Sequence, residues 1–269
     1  GRTDIPVIFL RRQLEQQIRI VEDGGDPMNV FHDPAAMPEI LFGGGKPAEQ
    51  WSLSAAVFRG DAIDEIYFDP IVGGGRNVNL PRTRRYGAEE SLAWEGERWS
   101  ASAGHAWTRA EFASEILLDK APWPTRQQVN KGDSLPMVPE HKGTLELAFK
   151  PAPGWRLSTD GICVGSQNIL GDEANLEPVL PSYCVANLGA TLERGAWSFG
   201  LRGTNITDAR YQSRAILSAL GGRAQRFYVP APGLGVNASL SWRWGTDSAK
   251  TARRPRVDAL ELARGALAR

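Results

Sequence analysis

The sequence predicts an all-β fold: a portion of an antiparallel up-and-down transmembrane β-barrel with about eight strands. Between Leu234 and Trp244, apolar residues alternate strictly with polar or small residues, which is the period of a strand with two different faces. The apolar face ends in two tryptophans, whereas the other face carries Asn237 and Arg243 rather than a second core. This pattern is typical of a strand that separates lipid from a water-filled lumen.

Composition sets the outer limits of the interpretation. The chain has 269 residues, with 31 basic and 31 acidic side chains, so no basic field favours a nucleic-acid partner. No run of about 18 apolar residues is present, which argues against a transmembrane helix. The first apolar patch is short and is followed by Arg11 and Arg12, so we expect no signal peptide. The chain is therefore either a mature protein or a piece of a longer one.

Three regions are predicted along the chain. Residues 1–50 form an irregular segment with a short amphipathic helix around residues 10–21, followed by a loop over residues 26–46. That helix either packs on its own domain or lies on a membrane surface. Residues 51–244 form the barrel portion. Residues 245–269 form a polar C-terminal tail that can include a short helix.

Eight strands are predicted within the barrel portion, and their connections alternate between short and long. The strands begin near residues 51, 82, 98, 138, 155, 182, 197 and 228. The short connections are 95–97, 151–154 and 193–196, and the long ones are 71–81, 117–136, 171–181 and 214–227. Short turns on one rim and long loops on the other are characteristic of an outer-membrane barrel.

Tryptophans mark the rim with the short turns. Each strand that leaves this rim begins with tryptophan, and arriving strands end near an aromatic or apolar residue. Because an indole ring is stable at a lipid–water boundary, we predict an aromatic girdle there. The alternative is that these residues cap the core of a soluble sandwich. The predicted girdle consists of Trp51, Trp94, Trp99, Trp155, Trp197, Trp242 and Trp244.

The opposite phase of the alternation predicts the residues that face the lumen. Charged side chains in this phase would face inward, and one interpretation is that they only pair with one another. The lumen-facing candidates are Arg85, Glu89, Glu146, Arg156, Asp160, Arg202 and Arg243.

The residues offer no support for catalysis, for a cofactor or for a metal site. The adjacent carboxylates Asp64-Glu65 and Glu89-Glu90 point to opposite faces of a strand, and no Gly-x-Ser-x-Gly motif is present. The three histidines are too scattered in the sequence to predict a metal site. Cys163 and Cys184 lie on neighbouring strands in the apolar phase, where either a disulfide or two free thiols is compatible with the sequence.

Several stretches resemble the C-terminal barrel half of TonB-dependent outer-membrane receptors. They are Ile63–Pro70, Pro139–Phe149, Asn205–Tyr211 (NITDARY) and the last strand, which opens with Pro232-Gly233 and closes in Trp242–Trp244. The resemblance spans about residues 51–244. NITDARY is similar to the family's Asn-Leu-Phe-Asp-x-x-Tyr pattern, with Ile206-Thr207 at its centre.

This resemblance implies a barrel of about 22 strands with a plugged lumen, of which eight would be the last part. It implies a transporter and not an enzyme, located in the outer membrane and energised by the TonB complex through an N-terminal part that has no counterpart in residues 1–50. The ligand would be a small metal chelate, such as a ferric siderophore or a cobalamin-like complex. The four long loops would contribute to its capture, and the inner wall would hold the plug. The polar tail departs from the family, whose barrels end at an aromatic residue.

Two other functions fit parts of the same pattern. One is a small, complete eight-stranded outer-membrane barrel that serves as an adhesin or a structural protein. It requires the strand near residues 51–69 to pair with residues 228–244. The other is a soluble β-sandwich binding module, which would need no detergent.

Overall fold

The computed structural model describes residues 39–42, 50–71, 75–220 and 223–244, and these contain strands but no helix. No helix in the described part of the chain is long and apolar enough to cross a membrane. The strands are β1 (Glu39–Phe42), β2 (Gln50–Ala62), β3 (Glu65–Asp69), β4 (Arg76–Leu80), β5 (Thr83–Glu95), β6 (Trp99–Phe112), β7 (Ile116–Asp119), β8 (Arg126–Val129), β9 (His141–Phe149), β10 (Trp155–Val164), β11 (Tyr183–Arg194), β12 (Trp197–Thr204), β13 (Gln212–Leu220), β14 (Arg223–Pro230) and β15 (Gly235–Trp242).

Nine strands form one large antiparallel sheet in the order β1-β2-β5-β6-β9-β10-β11-β12-β15. Eight of them correspond to the eight strands that the alternation predicts. The strand β2 pairs with β1 and β5 and not with β15, so the sheet does not close on itself. The pairing that a complete eight-stranded barrel requires is therefore not formed.

Three of the predicted long connections contain strands that belong to separate hairpins: β4, which pairs with β3 just before its connection, β7–β8 and β13–β14. The description of residues 71–81, 117–136 and 214–227 as simple loops is thus wrong. The strand predicted from Trp51 to about Pro70 is also wrong, because it stops at Ala62 and resumes as β3 after Asp64 adopts a left-handed φ of 58°. The strands β3, β4, β7 and β8 have only four or five residues each, which is too short for the alternation to mark their ends.

Both ends of the predicted barrel portion also differ from expectation. The last large-sheet strand begins at Gly235 rather than near residue 228, because residues 227–230 belong to β14. The strand β1 lies in the predicted loop over residues 26–46, where a run of four residues pairs with Trp51–Ser54. The predicted helices around residues 10–21 and 257–269 lie outside the described residues.

The register gives the large sheet two distinct faces. Trp51 of β2 lies opposite Trp94 of β5. Leu53 of β2 lies opposite Leu92 of β5, which in turn lies opposite Ala103 of β6. This row continues through Leu145 in β9, so apolar residues occupy the same face of successive strands. We call this the apolar face, and we call the opposite one the polar face.

Buried side chains concentrate among the long connections rather than along the large sheet. One cluster joins residues of four connections, and a second packs around the ends of β5 and β6. Phe112 and Ala110, which lie on the polar face of β6, are covered by the second cluster. The first cluster contains Ile71, Ala121, Ile169, Leu180, Ala215 and Leu217, and the second contains Leu80, Ala110, Phe112, Leu118, Val129 and Leu135. The long connections therefore fold inward over the polar face.

Candidate functional site

The hairpins β3–β4, β7–β8 and β13–β14 and the segment 165–182 form one packed unit, which we call the loop platform. Leu170 pairs with Ile216 of β13, and the hydroxyl of Ser218 donates to the carbonyl oxygen of Pro70 at 3.0 Å. Gln127 of β8 donates to the carbonyl oxygen of Gly171 at 3.4 Å. Because each connection is hydrogen-bonded to another, the platform is one packed structure rather than a set of independent loops.

A buried carboxylate, Glu173, joins three parts of the platform. It is 2% exposed, and it accepts hydrogen bonds from the Tyr67 hydroxyl at 2.5 Å, the Gln127 side-chain amide at 2.6 Å and the Gly171 backbone N–H at 2.9 Å. Burial raises the pKa of Glu173 and outweighs these hydrogen bonds, which act in the opposite direction. Nearby Asp69 adds to the increase. Sequence reasoning missed this residue because its partners are 46 and 106 positions away.

Two neighbouring residues shape the same segment. Asp172 accepts the backbone N–H groups of Leu176 and Glu177 at 2.9 and 2.8 Å, which closes a tight turn. Asn175, with a left-handed φ of 56°, accepts from the Ser134 N–H at 2.7 Å and donates to its carbonyl oxygen at 3.0 Å. Burial raises the pKa of Asp172. These contacts fix the position of the turn against the β8–β9 connection.

A disulfide closes the base of the segment 165–182. Cys163 and Cys184 are directly opposite in the β10–β11 register, and they are bonded, with their Cα atoms 4.1 Å apart. Of the two alternatives that the sequence left open, the structure therefore contains the bridge. Both residues lie on the apolar face, as the alternation predicts.

The structure places the predicted lumen residues in one phase, on the polar face of the sheet or directly after it. Arg156 contacts Glu146 at 3.2 Å, and Arg202 contacts Asp160 at 2.7 Å, so these four form pairs. Glu89 lies in one row with Ala106 and Lys142, and Arg243 follows β15. Four of the seven predicted residues therefore form ion pairs with one another.

The seventh, Arg85, has a different role from the one that a lumen wall suggests. Its guanidinium donates to both carboxylate oxygens of Glu65 in β3, at 2.6 and 2.9 Å, and Thr83 donates to the same carboxylate at 2.5 Å. This bidentate pair attaches the β3–β4 hairpin to the polar face of β5. Arg85 thus anchors the platform to the polar face of the large sheet.

Asn205, in the NITDARY stretch, joins the β12–β13 connection to the β14–β15 connection by hydrogen bonds. It is 3% exposed, and its side chain donates to the carbonyl oxygens of Ala209 and Pro232 at 2.9 and 3.1 Å and accepts the Ala209 N–H at 2.9 Å. Asp208 accepts the N–H of Leu234 at 3.0 Å. The backbone N–H of Asn205 donates to Asn187, which in turn donates to Asp160. The motif therefore links the base of the β13–β14 hairpin to the Arg202–Asp160 pair.

The seven tryptophans of the predicted girdle lie at the end of the sheet with the short turns. The ring centroids of Trp51 and Trp94 are 5.9 Å apart, and those of Trp197 and Trp242 are 5.7 Å apart. Trp99 stacks on Phe149 at 4.2 Å. The remaining two are Trp155, opposite Leu192, and Trp244, next to Trp242. These contacts place an aromatic row on one rim of the apolar face.

A row of charged residues lies near the other end of the apolar face. Arg84 contacts Asp61 at 3.0 Å and Glu111 at 3.9 Å, and Arg109 contacts Glu111 and Glu140. We call these five residues the ionic ladder. Arg84 is ten residues from Trp94 along β5. Ten residues of a strand tilted by about 40° rise about 25 Å, which matches the height of an outer-membrane apolar band.

Within residues 39–42, 50–71, 75–220 and 223–244, no group of three or more His, Cys, Asp or Glu side chains is arranged to hold a metal ion. Glu89 and Glu90 lie on opposite faces, as expected for neighbours in a strand. The platform instead exposes apolar side chains beyond its core, including Trp123 at 57% and Leu176 at 66%.

Comparisons with known proteins identify relatives of this architecture. The family model described as TonB dependent receptor-like, beta-barrel matches residues 43–206. The probable TonB-dependent siderophore receptor PiuA of Acinetobacter baumannii is 27% identical over 170 residues, which are 62% of this chain and 22% of that relative.

Solved structures show the same fold. The siderophore receptor PiuA of Acinetobacter baumannii has a TM-score of 0.54 at 20% identity, over 71% of this chain and 26% of that one. The copper transporter OprC has a TM-score of 0.55 at 15% identity, over 77% and 30%. A ferric enterobactin receptor mutant of Pseudomonas aeruginosa in complex with enterobactin has a TM-score of 0.52 at 18% identity, over 76% and 30%. The chain thus spans about a quarter of the length of these relatives.

Proposed function

Because the chain belongs to the TonB-dependent receptor β-barrel family, we propose that it captures a ferric siderophore on its loop platform, as part of a receptor energised by TonB. The protein is an outer-membrane β-barrel receptor, as its family is. Its apolar face then contacts lipid, and its polar face lines the lumen. The plug and the contact with the TonB complex belong, in this proposal, to a part of the receptor that precedes the described strands.

One observation supports the ligand-capture role most strongly: the long connections form a fixed platform over the polar face. Glu173, the disulfide and the Arg85–Glu65 pair hold this platform in one arrangement before any ligand arrives. A binding surface that is already ordered loses less conformational entropy when it takes up a ligand. Exposed Trp123 offers an aromatic ring at a platform tip, and such a ring suits the aryl groups of catecholate chelates.

A siderophore is the ligand class favoured here because the curated relative is described as a probable siderophore receptor. A cobalamin-like complex is the second candidate, and it differs in being large, mostly non-aromatic and free of iron. Both ligands absorb light and quench tryptophan fluorescence, so one assay compares them.

The test is a fluorescence titration of the refolded 269-residue chain in detergent with a ferric catecholate, a ferric hydroxamate and cyanocobalamin. We expect saturable quenching by a ferric siderophore, and we expect Trp123→Phe to reduce its amplitude. The matched control is Trp197→Phe, at the opposite rim, which should leave the saturation midpoint unchanged. Linear, non-saturable quenching by both ferric siderophores would contradict the assignment, and saturation by cyanocobalamin alone would transfer it to the second candidate.

A further inference from the structure

The stretch between Asp208 and Asp247 contains no acidic residue, although acidic and basic side chains are equal in number over the whole sequence. Within this stretch, the β13–β14 hairpin and the residue two positions before it carry four arginines and no lysine. These are Arg210, Arg214, Arg223 and Arg226, and all four are exposed. The hairpin is therefore a positively charged part of the loop platform.

The acidic residues of the neighbouring segment 165–182 neutralise only part of this charge. Asp172 and Glu173 are 1% and 2% exposed, and their carboxylates accept hydrogen bonds from within the platform. The third acidic residue, Glu177, forms an ion pair with Arg226. Of the hairpin's arginines, Arg226 alone thus has a counter-charge in this segment.

The other two arginines of the hairpin lie on one of its faces, on either side of an aromatic ring. Arg214 and Arg223 form no ion pair with any residue in the described part of the chain. Arg214 lies opposite Val229, and alternate residues of a strand share a face, so Arg214, Arg223 and Phe227 point the same way. Phe227 is 42% exposed. It lies about 7 Å along the hairpin from Arg214 and about 13 Å from Arg223.

The opposite face of the hairpin is fixed on the platform. Ala215 and Leu217 are buried in the first cluster together with Ala121. Ala121 lies two residues before Trp123, the exposed ring at a platform tip. The arginine-bearing face therefore belongs to the same packed unit as the proposed ligand-capture surface.

Unpaired arginines beside an exposed aromatic ring fit one class of ligand, an anion that carries aryl groups. A guanidinium binds oxyanions through several N–H donors, and an aromatic side chain packs against a flat ring. A ferric tris-catecholate has both features, because its deprotonated oxygens give it a net negative charge and its arms are aromatic. A ferric tris-hydroxamate of the ferrichrome type is neutral and mostly aliphatic.

We propose that the β13–β14 hairpin selects a negatively charged, aryl-bearing ferric chelate over a neutral one. Arg214 and Arg223 contact the oxygen atoms of the chelate, and Phe227 packs against one of its aryl rings. The field of the two unpaired guanidinium groups also raises the rate of encounter, and salt weakens it. The inference rests on the proposed capture of a ferric siderophore, and it adds the charge of the ligand and the residues that recognise it.

The test compares ferric enterobactin, an anionic tris-catecholate, with ferrichrome, a neutral tris-hydroxamate, by tryptophan quenching of the refolded 269-residue chain. We expect tighter binding of ferric enterobactin at low salt and a smaller difference between the two chelates at high salt. Arg214→Gln/Arg223→Gln should weaken ferric enterobactin binding about 2- to 30-fold, as the loss of two exposed ion pairs predicts. It should leave the ferrichrome midpoint unchanged. Arg214→Lys/Arg223→Lys keeps the charge and should retain the salt dependence.

The matched control is Arg98→Gln/Arg194→Gln, which removes two exposed arginines at the short-turn rim and should leave ferric enterobactin binding unchanged. Circular dichroism first compares each variant with the unmodified chain, and Arg223→Gln alone replaces a double variant that does not fold. Equal affinity for the two chelates, or unchanged ferric enterobactin binding by the double glutamine variant, would overturn the inference while siderophore capture stands. Saturation by neither chelate would contradict siderophore capture and the inference together.

Discussion

Replacing Glu173 with alanine should open the loop platform while leaving the large sheet intact. The substitution removes the acceptor for the Gln127 amide and the Gly171 N–H, both of which are buried, and for the Tyr67 hydroxyl. A buried donor left without a partner costs about 1–3 kcal/mol. The Gln127 amide keeps two other acceptors, the carbonyl oxygens of Asp119 at 3.1 Å and Gly171 at 3.4 Å, so Gln127 loses only part of its hydrogen bonding. The expected total is about 2–4 kcal/mol of local stability.

Hydrogen exchange followed by mass spectrometry measures this local stability, because it separates local opening from global unfolding. A loss of 2–4 kcal/mol corresponds to exchange about 30- to 1,000-fold faster in residues 165–182, since about 1.4 kcal/mol is a factor of ten. Exchange in β5 and β10 should not change. The control is Glu97→Ala, an exposed carboxylate at the short-turn rim, with an expected effect below about 0.5 kcal/mol. Equal exchange in the two variants would refute the role assigned to Glu173.

Three further predictions concern the platform. Burial raises the pKa values of the platform carboxyls Asp69, Asp172 and Glu173. The stability that their neutral forms contribute is therefore fully present below about pH 4 and is lost as the pH rises through the raised pKa values. Glu173→Gln should reduce the resulting decrease in hydrogen-exchange protection. Cys163→Ser with Cys184→Ser opens a bridge of sequence separation 21 and should cost about 3 kcal/mol, measured by urea unfolding. Asn205→Ala leaves the Ala209 N–H without its acceptor and should cost about 2 kcal/mol, with exchange accelerated in β13–β14.

Each of these predictions has a result that contradicts it. For the carboxyls, it is protection of residues 165–182 that rises between pH 4 and 8 after correction for intrinsic exchange. For the disulfide, it is an unchanged urea midpoint after both cysteines are replaced. For Asn205, it is unchanged exchange in β13–β14, with Asn77→Ala, in an unrelated hairpin, as the matched control.

Eight of the nine strands in the large sheet were predictable because the period of two extends over eight to fourteen residues in each, whereas β1 has only four residues and was missed. Along β6, for example, Trp99, Ala101 and Ala103 occupy one phase and Ser100 and Ser102 the other, and this pattern alone fixes which face each residue takes. The same alternation also placed both cysteines on one face before their pairing was known. A long alternating pattern is thus a local signal that needs no knowledge of the partner strand.

The platform was not predictable in this way, because its interactions join distant parts of the chain. Glu173 looks like any loop carboxylate in the stretch GDEANLE, and only its contacts with Tyr67 and Gln127 reveal that it is buried. The hairpin strands β3, β4, β7 and β8 have four or five residues each, which are too few alternations to be distinguished from a loop. His105 Nε2 lies 3.1 Å from His141 Nδ1, and this contact depends on the register between β6 and β9, which the sequence does not specify.

The central claim, that the apolar face contacts lipid and the polar face lines a wet lumen, can be tested at two adjacent residues. Leu145 lies on the apolar face of β9 and is 52% exposed, whereas Thr144 lies on the polar face. The native cysteines are bonded to each other, so Leu145→Cys or Thr144→Cys supplies a single thiol for a polarity-sensitive dye. In lipid vesicles, the account predicts blue-shifted emission from the dye at position 145 and water-like emission at position 144. Water-like emission at both positions, or the reverse order, would contradict it.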